Sequence, residues 1–228
     1  MNKNDILEMV SSHYGFFRFA TGIFNRIHPK NRLHAKKKYT LSAGVSLFKG
    51  LKIINSGIGN EVIIGDFAQI HNSTIVFYGN NNKVTLGDFV FMNDIELYME
   101  DSNNEINIGT HSNLCGKAHL AAIEGTKINI GKDCLFSAEI HFRTGDSHSI
   151  LNMDGKRINP SEDINIGNHV WIGTKVTCLK GVCVADNSIV AATTTLCSDY
   201  SQENVVIGGV PGKIIKTGVN WDNERIKI

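Results

Sequence analysis

Apolar residues in this chain recur on a fixed beat. The string V/I-x-I/L-G occurs five times, as VIIGD at 62–66, VTLGD at 84–88, INIGT at 106–110, INIGK at 128–132 and INIGN at 164–168. Its glycines, Gly65, Gly87, Gly109, Gly131 and Gly167, are separated by three steps of 22 residues and one of 36. A polar corner such as NNK or NNE precedes each copy. From Ile166 the beat tightens to six, through Ile172, Cys178, Val184, Val190 and Leu196. Four residues after the first five of these stand Val170, Val176, Val182, Ser188 and Thr194. A period of six fits neither an α-helix nor a simple alternating strand. It fits a triangular coil in which six residues make one flat side and one corner, so that a turn takes about 18 residues. A 22-residue step is then one turn with about four extra residues at a corner. The 36-residue step equals two plain turns, or one turn with a long extruded loop. Segment 142–163 (FRTGDSHSILNMDGKRINPSED) is polar and breaks the register, and it predicts the loop.

The expected fold is therefore an all-β solenoid, a left-handed parallel β-helix over residues 46–217 carrying the loop 142–163. A right-handed coil, with longer and less regular turns, is the alternative. Residues 1–45 form a separate N-terminal segment, with apolar spacing over 3–27 that predicts one or two helices. Residues 218–228 form a tail, and a short element after Pro211 closes the coil, because solenoid ends need caps.

Composition agrees with a chain that turns often: 22 Gly and 24 Asn against 3 Pro. Gly and Asn enter left-handed backbone at low cost, and Pro is excluded where parallel strands need every N–H. With 23 Lys/Arg and 22 Asp/Glu the formal charge is +1, which argues against a nucleic-acid partner. No apolar run approaches the ~20 residues of a membrane span. The N-terminus lacks the layout of a signal peptide, and five cysteines without a C-x-x-C point to reduced thiols. The expected location is the cytoplasm, with the inner face of the membrane as a variant raised by the basic segment below.

The hexapeptide register, followed by INIGNHVWIG at 164–173 and GGVPGKIIK at 208–216, resembles the left-handed β-helix acetyltransferases that use acetyl-CoA. RTGDSHSI at 143–150 and GKRINP at 155–160 look most like bacterial O-acetyltransferases of capsular and other surface polysaccharides, the polysialic acid O-acetyltransferases among them. The resemblance covers roughly residues 55–217. It implies a homotrimer with each active site in a groove between two coils, acetyl-CoA along the groove and a glycan acceptor. A His would take the acceptor's hydroxyl proton as the oxygen attacks the thioester, with no acyl-enzyme. That His would be His148. An imidazole suits the task near neutral pH, and the bland alternative is a solvated loop residue. Asp146 would either orient His148 or cap its own turn. Trp171, flanked by the register positions Val170 and Ile172, should point outward to line the active site or a subunit interface. Arg143 and Asn168 would line the same site. The cofactor would be met by Thr174, by Ala192, and by Lys213 and Lys216 of the closing motif. The family often carries V-T-K where this chain has Leu196, Cys197 and Ser198, so contacts from Cys197 and Ser198 would lack the lysine.

His119 and His141 are 22 residues apart, which stacks them on one side of the coil. Some β-helix proteins bind zinc through three histidines, but neither order nor spacing matches here. No metal is expected, and these two histidines would line the acceptor groove. The run RIHPKNRLHAKKK at 26–38 holds six Lys/Arg and no acid. It reads as a solvated linker, as a site for an anionic polysaccharide, or, with FFRFATGIF before it, as a peripheral membrane contact through 14–38. The principal functional expectation is O-acetylation of a bacterial surface polysaccharide or its precursor. Acetylation of a small acceptor (a free sugar, an amino sugar or an antibiotic) and a non-catalytic assembly module are the rivals.

Overall fold

The computed structural model describes residues 3–227. Residues 1, 2 and 228, which the expected N-terminal segment and C-terminal tail include, lie outside the described residues.

Short strands stack into three parallel sheets that the chain visits in rotation, forming a left-handed parallel β-helix. The first face runs from Thr40–Ala43 through Glu61–Ile64, Lys83–Leu86, Glu105–Ile108, Lys127–Ile130, Ile164–Ile166 and Cys183–Val184 to Asp199–Tyr200. The second begins at Leu47–Lys49 and includes Leu135–Phe136, Trp171–Ile172, Ile189–Val190 and Val205–Gly208. The third begins at Lys52–Asn55 and includes Ile95–Met99, Ala118–Ala122, Ile140–Arg143, Thr177–Cys178 and Thr195–Leu196. Because Thr40–Ala43 already pairs with Glu61–Ile64, the coil starts inside the stretch read from sequence as the N-terminal segment. The copy there reads Leu41-Ser42-Ala43-Gly44, 21 residues before Gly65, and its Ala43 departs from the V/I-x-I/L-G string.

The register positions point inward. Ile166, Ile172, Cys178, Val184, Val190 and Leu196 are all buried, as are Val170, Val176, Val182, Ser188 and Thr194. Lys127–Ile130 pairs directly with Ile164–Ile166, so the 36-residue step is one turn plus an extruded loop. Each turn also donates backbone hydrogen bonds to the next, such as Gly109 N to Ile130 O at 2.8 Å. Stability is then a sum over neighbouring turns that share one continuous apolar core from Phe48 to Ile207.

The repeat glycines sit where successive turns come closest. A Cβ on Gly109 would lie 2.6 Å from the backbone of Gly131, and one on Gly131 would lie 2.4 Å from the Gly167 oxygen. The left-handed backbone falls two residues later, at Phe67, Phe89, His111, Asp133 and His169, with φ between 54° and 61°. Close approach therefore explains these glycines, and the left-handed backbone of each corner falls on a non-glycine residue. The asparagines divide similarly. Asn72, Asn81, Asn103 and Asn187 have positive φ, whereas Asn60, Asn82 and Asn104 form a buried ladder inside the corner between the third and first faces. Asn82 N donates to Asn60 Oδ1 at 2.7 Å, and Asn104 N donates to Asn82 Oδ1 at 2.8 Å. This corner also takes up the four extra residues of every 22-residue turn.

Two helices precede the coil, α1 (Lys3–Ser12) and α2 (Tyr14–Ile27). Helix α2 is held on the first turn by Asn25, whose Nδ2 donates to Ser46 O and whose Oδ1 accepts from Phe48 N. At the far end Lys213–Thr217 pairs antiparallel with Val205–Gly208 and ends the parallel stack. The tail then returns along the corner between the first and second faces, where Trp221 stacks on His169 with ring centroids 4.3 Å apart.

Candidate active site

The loop leaves the coil after Ile140–Arg143 and re-enters at Ile164–Ile166, so it springs from the same third–first corner that bulges in earlier turns. Both neighbouring turns hold it. From the turn before, the Glu124 carboxylate receives a fork from Arg157, Nη1 to Oε1 at 2.7 Å and Nη2 to Oε2 at 2.9 Å. Ser161 Oγ adds a third bond at 2.8 Å. These donors hold the Glu124 carboxyl at a pKa of about 2, Arg157 contributing most and Ser161 next. From the turn after, Lys180 Nζ reaches Asp146 Oδ2 at 2.6 Å. Asn159, buried within the loop, donates from Nδ2 to both Asp146 Oδ2 and the His148 carbonyl, each at 2.8 Å, and accepts from Ile150 N at 2.7 Å. Lys180 first and Asn159 second pull the Asp146 carboxyl below its ordinary range.

His148 itself is exposed at the outer edge of this loop. Asp146 gives its carboxylate to Lys180 and Asn159, which fixes the backbone that carries His148. Among the described residues no hydrogen bond links that carboxylate to the imidazole. Arg143 bends back over the loop's first turn, with Nε donating to Gly145 O at 3.2 Å, Nη2 to Ser147 Oγ, and Glu100 3.8 Å away.

His119 and His141 are register partners on the third face, with ring centroids 6.1 Å apart. His119 Nδ1 lies 2.8 Å from Glu96 Oε2. Together with Asn72, Thr74 and Lys117 they line an open cleft of about 400 Å³ along the second–third edge of this face, the edge away from the loop's corner. Among the described residues no cluster of three metal-ligating side chains occurs.

The remaining candidates stand elsewhere on the prism. Trp171 is 38% exposed on the second face, and its Nε1 donates to Ser137 Oγ at 3.3 Å. Thr174 and Ala192 stack at the second–third corner, where a Cβ on Gly173 would come within 2.7 Å of Ala192 N and Thr193 N donates to Thr174 O at 2.8 Å. Lys213 and Lys216 are exposed on the closing strand. Cys197 and Ser198 are exposed at the third–first corner, two turns beyond the loop. Asn168 spends its side chain on turn stacking, accepting from Lys132 N at 2.9 Å and donating to Asp186 Oδ2 at 3.0 Å. In cross-section the third–first corner lies opposite the second face. His148 and Trp171 are therefore on opposite sides of one chain's core.

Five residues of this arrangement were not singled out from sequence: Glu124, Arg157, Asn159, Ser161 and Lys180. Glu124 and Lys180 belong to turns far from the loop in sequence. Only the stacking of turns brings them to it.

No family model matches the chain. It is 35% identical over 107 residues to the polysialic acid O-acetyltransferase of Neisseria meningitidis, a match covering 46% of this chain and 50% of that protein. The chain spans about half the length of the curated relatives it matches. The solved structure of the polysialic-acid-specific acetyltransferase NeuO is similar with a TM-score of 0.63 and 27% identity, over 76% of this chain and 89% of that one. The polysialic acid O-acetyltransferase OatWY gives a TM-score of 0.52 and 28% identity, over 83% and 93%.

Proposed function

We propose that this chain, a relative of the hexapeptide-repeat acetyltransferases, transfers the acetyl group of acetyl-CoA to hydroxyls of a bacterial surface polysaccharide or its precursor. The observation that carries this reading is the braced loop. The chain extrudes one long polar segment from a rigid coil, fastens it to the turns on either side, and leaves His148 open to solvent at its edge. The likeness to polysialic acid O-acetyltransferases supports the choice of a glycan hydroxyl.

In the proposed reaction the His148 imidazole accepts the acceptor's hydroxyl proton as that oxygen attacks the thioester carbonyl carbon. The carbon–sulfur bond then breaks, and CoA leaves as a thiolate that recovers the proton from the imidazolium. Asp146 positions rather than relays: by holding Lys180 and Asn159 it fixes the backbone on which His148 stands. The groove forms between copies of a trimer, with the loop of one chain facing Trp171 of the next. Thr174 and Ala192 offer small side chains and backbone groups to the pantetheine arm, and Lys213 and Lys216 offer charge to the phosphates. Cys197 and Ser198 flank the arm from the loop's own corner. Arg143, His119 and His141 line the acceptor's path along the third face, and Asn168 supports the corner before Trp171.

The test is acetyl transfer to a panel of acidic polysaccharides, O-antigen polymers and free monosaccharides. His148→Ala should lower turnover by about 10²–10⁴-fold with the KM for acetyl-CoA unchanged. Undiminished transfer by the variant overturns the assignment of the base. Turnover on free monosaccharides equal to that on polymers overturns the polymer acceptor.

A further inference from the structure

Helix α2 turns its polar side to the protein and its apolar side to water. Asn25 is buried against the first turn of the coil. On the same side the Tyr14 hydroxyl donates to Asp66 Oδ1 at 3.0 Å, and Arg18 Nε donates to Ala43 O at 3.1 Å. At helical spacing the opposite side is Phe16, Phe19, Ile23 and Ile27, which are 67%, 69%, 44% and 73% exposed. A surface helix of a globular domain ordinarily turns such a stripe inward. Four large apolar side chains in a row are also more than the scattered exposed residues that need no explanation.

Charge supplies the second observation. Residues 9–60 contain nine of the chain's 23 Lys/Arg and none of its 22 Asp/Glu. The rest of the chain therefore carries 14 cations against 22 anions, a formal −8 beneath a total of +1. Among the described residues none of those nine cations forms a salt bridge. Arg26, Lys30, Arg32, Lys36, Lys37 and Lys38 are exposed, and they begin within the helix and continue beyond its end.

We infer that α2 and the basic segment after it dock on an anionic lipid surface, the stripe Phe16–Phe19–Ile23–Ile27 entering the headgroup boundary and the cations meeting the lipid phosphates. The pairing of an apolar helical stripe with clustered cations is what interfacial binding requires. A second copy of the chain is the poorer occupant. Contact of like patches across a rotation axis would gather these unpaired cations together. The inference does not depend on the proposed reaction, because binding is read without acetyl transfer.

The experiment is co-sedimentation of the full chain with phosphatidylcholine vesicles, with and without phosphatidylserine, alongside light scattering in solution. The wild type should sediment only with phosphatidylserine present and be released by salt. Replacing Lys36, Lys37 and Lys38 together by Glu should lower partitioning about 100-fold or more. Phe19→Ser with Ile23→Ser should lower it about 10-fold or more while leaving the melting temperature and the oligomeric mass unchanged. Phe19→Trp keeps the bulk and reports directly, its added emission shifting to the blue on anionic vesicles. Absence of binding to those vesicles overturns the inference, as does an unshifted emission from the Phe19→Trp variant. So does binding that ignores the Phe19 and Ile23 changes, which would be plain charge adsorption. A smaller oligomer in the double variant would assign the stripe to a contact between copies and overturn it equally.

Discussion

Glu124→Gln removes one charge from the anchor that fastens the returning arm of the loop, and it changes little else. The wild-type carboxylate accepts two bonds from Arg157 and one from Ser161 Oγ, all at or below 2.9 Å. Holding this carboxyl at about 2 rather than its ordinary 4.5 corresponds to about 3 kcal/mol between its two protonation states. The side chain is 32% exposed, so solvent screening leaves about 1–2 kcal/mol of real anchoring. That is a factor of roughly 5–30 in the population of the released loop. Hydrogen exchange of peptides covering 145–163 reads it directly, since the coil should be untouched and its amides serve as the internal standard. The sign of the pH dependence follows from the depressed pKa. Anchoring is complete above about 4.5 and fades as pH falls toward 2, so between pH 5 and 9 it is constant. Wild-type loop protection relative to the coil should therefore be flat over that range and drop only in acid, while the Gln variant is less protected throughout. Equal loop exchange in the two proteins at pH 7 would refute the reasoning. So would a wild-type transition near neutrality.

Other consequences can be checked independently. Co-assembling His148→Ala chains with Trp171→Ala chains should give more acetyl transfer than either variant alone, because the two residues lie on opposite sides of one chain; mixtures no better than the parents would contradict a groove between copies. Gly131→Ala forces a Cβ to within 2.4 Å of the Gly167 oxygen, which should cost about 1–3 kcal/mol and lower Tm by about 2–12 °C. Gly155→Ala in the loop meets nothing within 4 Å but places an alanine at φ +78°, a strain confined to the loop that should leave the coil's Tm unchanged, so calorimetry of the pair separates close approach from backbone freedom. Asn104→Ala orphans the Gly125 and Thr126 amides that bond its Oδ1 at 2.9 and 3.2 Å; about 2–4 kcal/mol should be lost in urea unfolding, and an unchanged midpoint would show that the ladder is redundant.

The coil was legible in the sequence because each of its sides repeats one physical instruction, an inward apolar residue every sixth position, and a period is visible without coordinates. The stacking of His119 on His141 followed from the same count. Other features were not legible because they depend on which turns touch. The partner of Asp146 is Lys180, 34 residues away, and the spacing that brings them together includes the loop's own length. Glycine misled for a related reason. Gly65 and Phe67 occupy one corner, and composition cannot say which of them bears the positive φ and which the approach of the next turn. Helix α2 was legible as a helix, but an apolar stripe reads the same whether it faces inward or outward. Only the burial of Asn25 tells the two apart.

Among the described residues, the third–first corner is where this protein varies the length of its chain most, the other two corners changing by about one residue. It swells by about four residues in the early turns, extends into the loop once, and shrinks to a plain bend in the last turns, while the faces before and after stay in register. An insertion there adds nothing to the hydrogen-bond ladder and removes nothing from it, because the first and third faces pair only with themselves. The scaffold thus has a socket. New loops can be tried at that edge without renegotiating the fold, and the chemistry of the protein can change while its architecture stays constant.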